Sequence, residues 1–479
     1  MGKSSASIQS KGVCESFLIL LGRVSCNARQ RATGSRRQRL QARRTAQVES
    51  PPTLRFAALF AVALFALAPS ADGAQPDDLA LDSTRRPDPS SRTNPDPPAR
   101  WHLPRKRAHD PLAHDDPPPN EPDWNPLAAP SRRLKSALRE RGVVLDLDSA
   151  VYDQWASETV SGDENLDTFT WLATGDWRSD RHTGLGTSYI GWTLLGSPGL
   201  GYDTEDETLS GNVGSISGLN GNVVPDPAAL DELFWKQVSP EEKWVLLAGR
   251  VDQSFYFDTN RIANNTYRQF FAFALENNLS IPWSTYGGLG LLLRFDARPD
   301  LYLMASASST DTDEPWAPWK SLDENAWNQL LEVGVTLHIP RLGKGHYRLT
   351  PWHNRVSSED GFGIAFNLDQ ELGLERLVGF FRYGIGDEDV TPVKRFLSGG
   401  FSLARPFGRK DDKVALGVAW SDPSPGDGER DETLVEVYYR LSLSPSLALT
   451  PDVQIVIDPA DNDEEDMVVV LGVRLQLRL

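Results

Sequence analysis

The chain has 479 residues and a formal net charge of −17. That length allows several ordinary domains or one very large barrel, and the acidic balance argues against a nucleic-acid partner. The two cysteines, Cys14 and Cys26, fall in the first fifty residues, which leaves the rest of the chain without a cysteine for a zinc or thiol centre.

Residues 1–52 form a basic extension. Residues 1–50 carry ten Lys and Arg against Glu15 and Glu49, a net +8, so the remaining chain carries −25. No run of 18 or more apolar residues occurs, which rules out an ordinary transmembrane helix. The stretch FAALFAVALFALA, Phe56–Ala68, follows Arg55 and precedes PSADGAQ. A charged flank, an apolar segment of this length and a small-residue exit predict a signal peptide over 53–74, with a mature N-terminus near Ala74 or Gln75. Its start some fifty residues into the chain points to a translation start downstream of Met1.

Residues 75–130 are rich in Pro, Asp and Arg. They offer too little apolar area to offset the entropy of ordering, and are read as disordered. SRRLKSALRER, Ser131–Arg141, carries Leu134 and Leu138 at helical spacing and is read as a short helix capped by Ser131 and ended by Gly142.

From Val143 the pattern changes to period two. In MVVVLGVRLQLRL, Met467 to Leu479, the odd positions are all apolar, while the even face carries Arg474, Gln476 and Arg478. Successive strand side chains point to opposite faces, so this strand has one lipid-compatible face and one polar face. Segments with the same pattern predict about sixteen strands, near 143–155, 168–176, 184–194, 230–237, 243–251, 287–296, 300–308, 328–339, 345–354, 361–369, 375–385, 395–404, 412–420, 432–443, 447–457 and 466–479. Short connections (Asp296–Asp300, Arg341–Lys344, Ser444–Ser446) alternate with long acidic ones (195–229, 309–327, 421–431). That asymmetry is expected of a single-chain transmembrane antiparallel β-barrel, and sixteen strands are enough to enclose an aqueous channel. A soluble sandwich would use shorter strands and bury its apolar faces in pairs.

Several stretches carry a family resemblance. They are GRVDQSFYFDTNRIANNTYRQFFAFALENNLSIPW (249–283), GFGIAFNLDQEL (361–372), FFRYG (380–384), LKSALRERGVVLDLD (134–148) and VEVYYRLSLSPSLALTPDVQIVIDPADND (435–463). Together they make residues 131–479 similar to the carbohydrate-selective porins of the OprB type. The Thr-Pro-Asp-Val-Gln element, 450–454, is the most specific piece. The chain departs from the pattern in ending on Leu479, where an aromatic residue is usual. The resemblance implies a bacterial outer-membrane barrel, monomeric or homotrimeric, in contact with the lipid bilayer and lipopolysaccharide, through which small sugars diffuse passively.

A sugar channel needs polar partners for hydroxyls and aromatic faces for pyranose rings. Alternation makes Arg250, Asp252, Arg294, Asp296, Arg382, Glu436, Tyr438, Arg440, Asp452, Gln454 and Arg474 the candidate pore-lining and substrate residues, with Gln476 and Arg478 on the same row. Arg250, Arg382 and Arg440 stand out because they also lie in family-like motifs. Residues 252–286 are too long for a turn and too apolar for an exposed loop, and are read as a segment folded into the lumen. The acidic runs at 310–314, 387–389 and 461–466 are read as solvated loops rather than metal sites, and no cofactor is expected. Three alternatives stay open: a general or anion-preferring porin, a barrel hydrolase, and a structural anchor or adhesin, which would have a plugged lumen and no conductance. The second has little support, because beyond the lead only His182, His338, His346 and His353 remain and none sits in a catalytic motif.

Overall fold

In the computed structural model the described residues are 125–479, apart from 180–183, 206, 311–314, 323–325, 357–358, 375 and 429. The basic extension, the signal peptide, most of the Pro/Asp-rich segment and His182 lie outside them. A helix α1 (Ala128–Arg139) begins three residues before the expected cap: Leu127 is the N-cap, with no side-chain bond, and Ser131 is inside the helix. Lys135 on its inner side bonds Asp146 at 2.6 Å, tying the helix to the first strand.

Sixteen strands follow: β1 (Val143–Ala156), β2 (Asn165–Arg178), β3 (Thr187–Gly196), β4 (Ala229–Val238), β5 (Trp244–Val251), β6 (Gly288–Arg298), β7 (Leu301–Ser309), β8 (Trp327–Ile339), β9 (Gly343–Val356), β10 (Glu359–Glu371), β11 (Leu377–Gly386), β12 (Val393–Ala404), β13 (Lys413–Pro423), β14 (Glu432–Ser444), β15 (Leu447–Ile457) and β16 (Met467–Arg478). Every strand lies within three residues of its expected bounds. Each pairs antiparallel with its sequence neighbours, and β1 pairs with β16 to close the barrel. Closure removes the unpaired strand edges that an open sheet would expose. At the seam, Leu147 and Leu479 exchange backbone bonds at 3.0 and 2.8 Å, so the last residue completes the ladder.

Burial follows the alternation. On β16, Met467, Leu471, Val473 and Leu475 are exposed, while Val468, Val470, Arg474 and Gln476 are buried. An apolar row facing outward suits hydrocarbon, and the polar row faces the lumen. No described helix is long and apolar enough to cross a membrane. At one end the barrel is closed by turns such as Pro299–Asp300 and residues 445–446, and at the other by long connections. We call these the turn end and the loop end. Trp177 and Trp235 stand outward near the turn end, and Trp155 near the loop end, where amphipathic rings favour the two interfaces.

Candidate functional site

The thirty-six residues between β5 and β6 turn into the barrel. Asp252 starts the inward course by accepting from the Ser254 N–H at 2.8 Å, the cap of a single 3-10 turn, Gln253–Phe255. A one-turn helix α2 (Phe273–Glu276) lies further on, within the stretch FAFALENN. Nearly all residues from 252 to 281 are buried.

This segment is fastened to the wall almost all the way round. Tyr256 donates to Glu232 of β4 at 2.8 Å. Gln253 bonds Ser306 of β7 and the Asn328 carbonyl of β8. The Asp258 N–H reaches Glu332 of β8 at 2.9 Å. Arg261 pairs with Asp369 and Glu371 of β10. Arg268 pairs with Asp148 of β1 at 3.2 Å. Glu436 of β14 accepts the N–H groups of Phe271 and Ala272 at 2.6 and 2.9 Å. Arg474 of β16 donates to the Thr266 and Gln269 carbonyls and lies 4.4 Å from the Phe271 ring. Small residues on the wall make room for the segment. A Cβ on Gly417 would lie 2.7 Å from Leu275 and 2.9 Å from Phe270.

Arg382 is the centre of this attachment. Its guanidinium bonds the Asp258 carboxylate at 2.8 Å and the carbonyls of Asp258, Ala263, Leu275 and Glu276 at 3.2, 2.6, 2.8 and 3.1 Å. A buried charge is tolerable only when paired and hydrogen-bonded, and the guanidinium fork meets that condition by gathering chain that would otherwise be loose.

A second inserted piece was not legible in the sequence, where 195–229 reads as one long external loop. A short helix, Leu209–Val213, is capped by the Thr208 hydroxyl and buries Leu209 and Val213. Beyond it, Gln154 and Gln454 both donate to the Leu219 carbonyl, at 3.1 and 3.0 Å. Glu432 accepts from the Ser215 and Ser217 hydroxyls and from the N–H groups of Ile216, Ser217 and Ala460. The apolar residues Leu209, Val213 and Leu219 were the available signal. They are too sparse for a periodicity argument.

The expected lumen residues therefore divide into three groups. Asp252, Arg382, Glu436, Tyr438, Asp452, Gln454 and Arg474 are buried beneath or beside the inserted segments. Tyr438, for example, packs edge-on to Phe270 with centroids 5.1 Å apart. Arg294, Asp296, Arg440 and Arg478 face inward near the turn end and are only partly buried, with Arg440 donating to Gln476 at 3.3 Å. Arg250 departs from the inward row. Its register partners are Leu233 and Leu289, and directly opposed residues in a ladder share a face. Leu233 belongs to the outward row, so the motif arginine lies on the outer side of the wall. The chain has φ 139° at the preceding Gly249, a conformation glycine alone adopts readily.

Near the turn end two ring-and-charge groupings face the lumen. Arg294 pairs with Asp296 at 2.9 Å and lies 4.0 Å above the Tyr302 ring. Lys236 pairs with Asp176 at 2.8 Å and lies 4.5 Å from the Tyr189 ring. These aromatic partners were not among the expected residues, although both sit at inward positions of their strands.

Residues 115–479 match the carbohydrate-selective porin, OprB family. The chain belongs to that family. Porin AaxA of Chlamydia abortus is 25% identical over 60% of this chain and 68% of its own length, and porin AaxA of Chlamydia trachomatis serovar D is 24% identical over 73% and 80%. The high-pH structure of Pseudomonas putida OprB superposes with a TM-score of 0.60 at 15% identity, covering 72% of this chain and 96% of that one. The protein is thus a porin of the outer membrane, a channel and not an enzyme.

Proposed function

We propose that this porin passes small sugars by passive diffusion, and that solute meets the wall at the two turn-end groupings, Arg294–Asp296–Tyr302 and Asp176–Lys236–Tyr189. The observation that carries the reading is the repeated pairing of an aromatic ring with a cation and a carboxylate on inward rows near the turn end, where Arg294, Asp296, Tyr302, Asp176 and Tyr189 keep partial exposure although Lys236 is buried. A ring covers the apolar C–H face of a pyranose, while the fork of an arginine and an adjacent carboxylate give its hydroxyls both donors and acceptors. Binding in a wet lumen is weak, as conduction requires: strong enough to favour entry, weak enough to permit exit. On this reading the inserted segments set the width of the channel, and Arg382 and Arg474 act by holding them rather than by touching solute.

Liposome swelling with sugars of matched size, followed by sugar block of single-channel current, tests this. Tyr302→Ala and Arg294→Ala are expected to weaken sugar block by about tenfold or less, since one desolvated charge-assisted bond is worth about 1.5–3 kcal/mol and a wet site gives less. Open-channel conductance stays similar or rises. Swelling rates that follow size alone, with no block by any sugar, would identify a general diffusion porin instead.

A further inference from the structure

We propose that residues 315–322 form a strap on the outside of the wall that seats Trp316 and Trp319 in the lipid headgroup layer at the loop end, with Arg250 as its pin. Arg250 is 2% exposed although it shares the register row of the outward residues Leu233 and Leu289. What covers it is the strap: its guanidinium donates to the Pro315 carbonyl and, through Nε, to the Gly287 carbonyl at 2.7 Å. The short 3-10 helix Pro318–Leu322 then runs beside β6. The lumen side of the neighbouring strands is already filled there. Gln253 bonds Ser306 and the Asn328 carbonyl, and Asn328 donates to the Pro282 carbonyl at 3.0 Å.

The strap leaves Trp316 58% and Trp319 62% exposed, and Leu291, on the outward row of the β6 strand that the 318–322 turn runs beside, is 56% exposed. Arg250 at the end of β5 and Gly287 just before β6 tie the strap to the place where β5 ends and β6 begins, at the edge of the outward apolar row. Tryptophan favours that depth because its ring is apolar while its N–H can reach water or headgroups. A bare arginine on the outward row would meet lipid; the strap gives it the Pro315 carbonyl beside that of Gly287 and covers it. The occupant of this surface is the lipid of the leaflet at the loop end.

The test uses the full chain with Cys14→Ser and Cys26→Ser, which removes every native cysteine. Trp319→Cys carries an environment-sensitive fluorophore, and the protein is folded into phosphatidylcholine vesicles bearing a nitroxide near the headgroup or near the acyl midpoint. Leu291→Cys, on the wall itself, is the reference. At position 319 the shallow quencher should act about twofold or more better than the deep one. Adding Arg250→Gln should reduce quenching at 319 while leaving position 291 quenched, which also shows that the barrel has folded. Absence of quenching at 319 by both lipids, with 291 quenched, overturns the proposal: the strap then lies in water or against another copy of the chain. Deeper quenching at 319 than at 291 overturns it too, as does a 319 signal indifferent to Arg250→Gln.

Discussion

Replacing Arg382 by methionine should loosen the inserted segment without removing a strand. The substitution keeps a long apolar stem but leaves the Asp258 carboxylate without its cation, and the carbonyls of Asp258, Ala263, Leu275 and Glu276 without a donor. Removing one partner of a buried ion pair costs about 3–5 kcal/mol, because the other charge is left stranded. Asp258 retains the Asn278 N–H at 3.1 Å and the Asn367 amide at 2.6 Å, so about 3 kcal/mol, the lower end, is the expected loss. Combining it with Asp258→Asn removes the stranded charge and should recover part of that loss. The coupling measured in the double-mutant cycle should be about 1–3 kcal/mol. Reversible urea unfolding in lipid vesicles gives the energies, and single-channel recording of Arg382→Met should show a noisier current as the segment fluctuates. A variant within about 0.5 kcal/mol of the parent, with an equally quiet current, would refute the claim that Arg382 works by holding the segment.

Three further outcomes follow from the structure. Leu471 lies outward near the middle of β16 while Leu475 lies close to its turn end, so Leu471→Arg should cost about 2–4 kcal/mol and Leu475→Arg distinctly less in the same folding assay, the depth dependence of charge in a bilayer. Glu432→Ala abandons the donors of Ser215, Ile216, Ser217 and Ala460; hydrogen exchange should speed up in 214–218 and 458–462 together, and a change confined to one segment would show that the carboxylate does not join them. Asp427, in the connection before β14, has its carboxyl pushed up to about 6 by burial and by Asp461. A raised carboxyl favours the folded contact when protonated, so the contact between these two loop-end connections should be firmest below about pH 4 and weaken as pH rises through about 6. Asp427→Asn should abolish that dependence in hydrogen exchange of residues 424–428.

How much of this was legible beforehand follows from the range of each interaction. Strand positions were readable because alternation is a local property: a half-buried strand must place apolar and polar residues on opposite faces, wherever it pairs. That is why β15, Leu447–Ile457, came out residue for residue. The sequence also showed that 252–286 is too apolar to stand in water. It did not show what the segment binds, because Arg382 and Asp258 are 124 residues apart and no local spacing links them.

Alternation determined on which face Glu436, Tyr438, Arg440 and Arg474 lie. Only the tertiary structure decided which inward residues still meet solvent, since that depends on the volume taken up by two inserted segments, one of them unforeseen. Arg250 shows the limit most sharply. Its motif and its buried state both suggest the lumen, but register with Leu233 and Leu289 sets the residue on the outer side. The register of β5 runs unbroken from Val245 to Val251, so Leu246, Ala248 and Arg250 share one row; a strand as apolar on both faces as WVLLAGRV has two rows by alternation, and only its partners decide which of them faces outward.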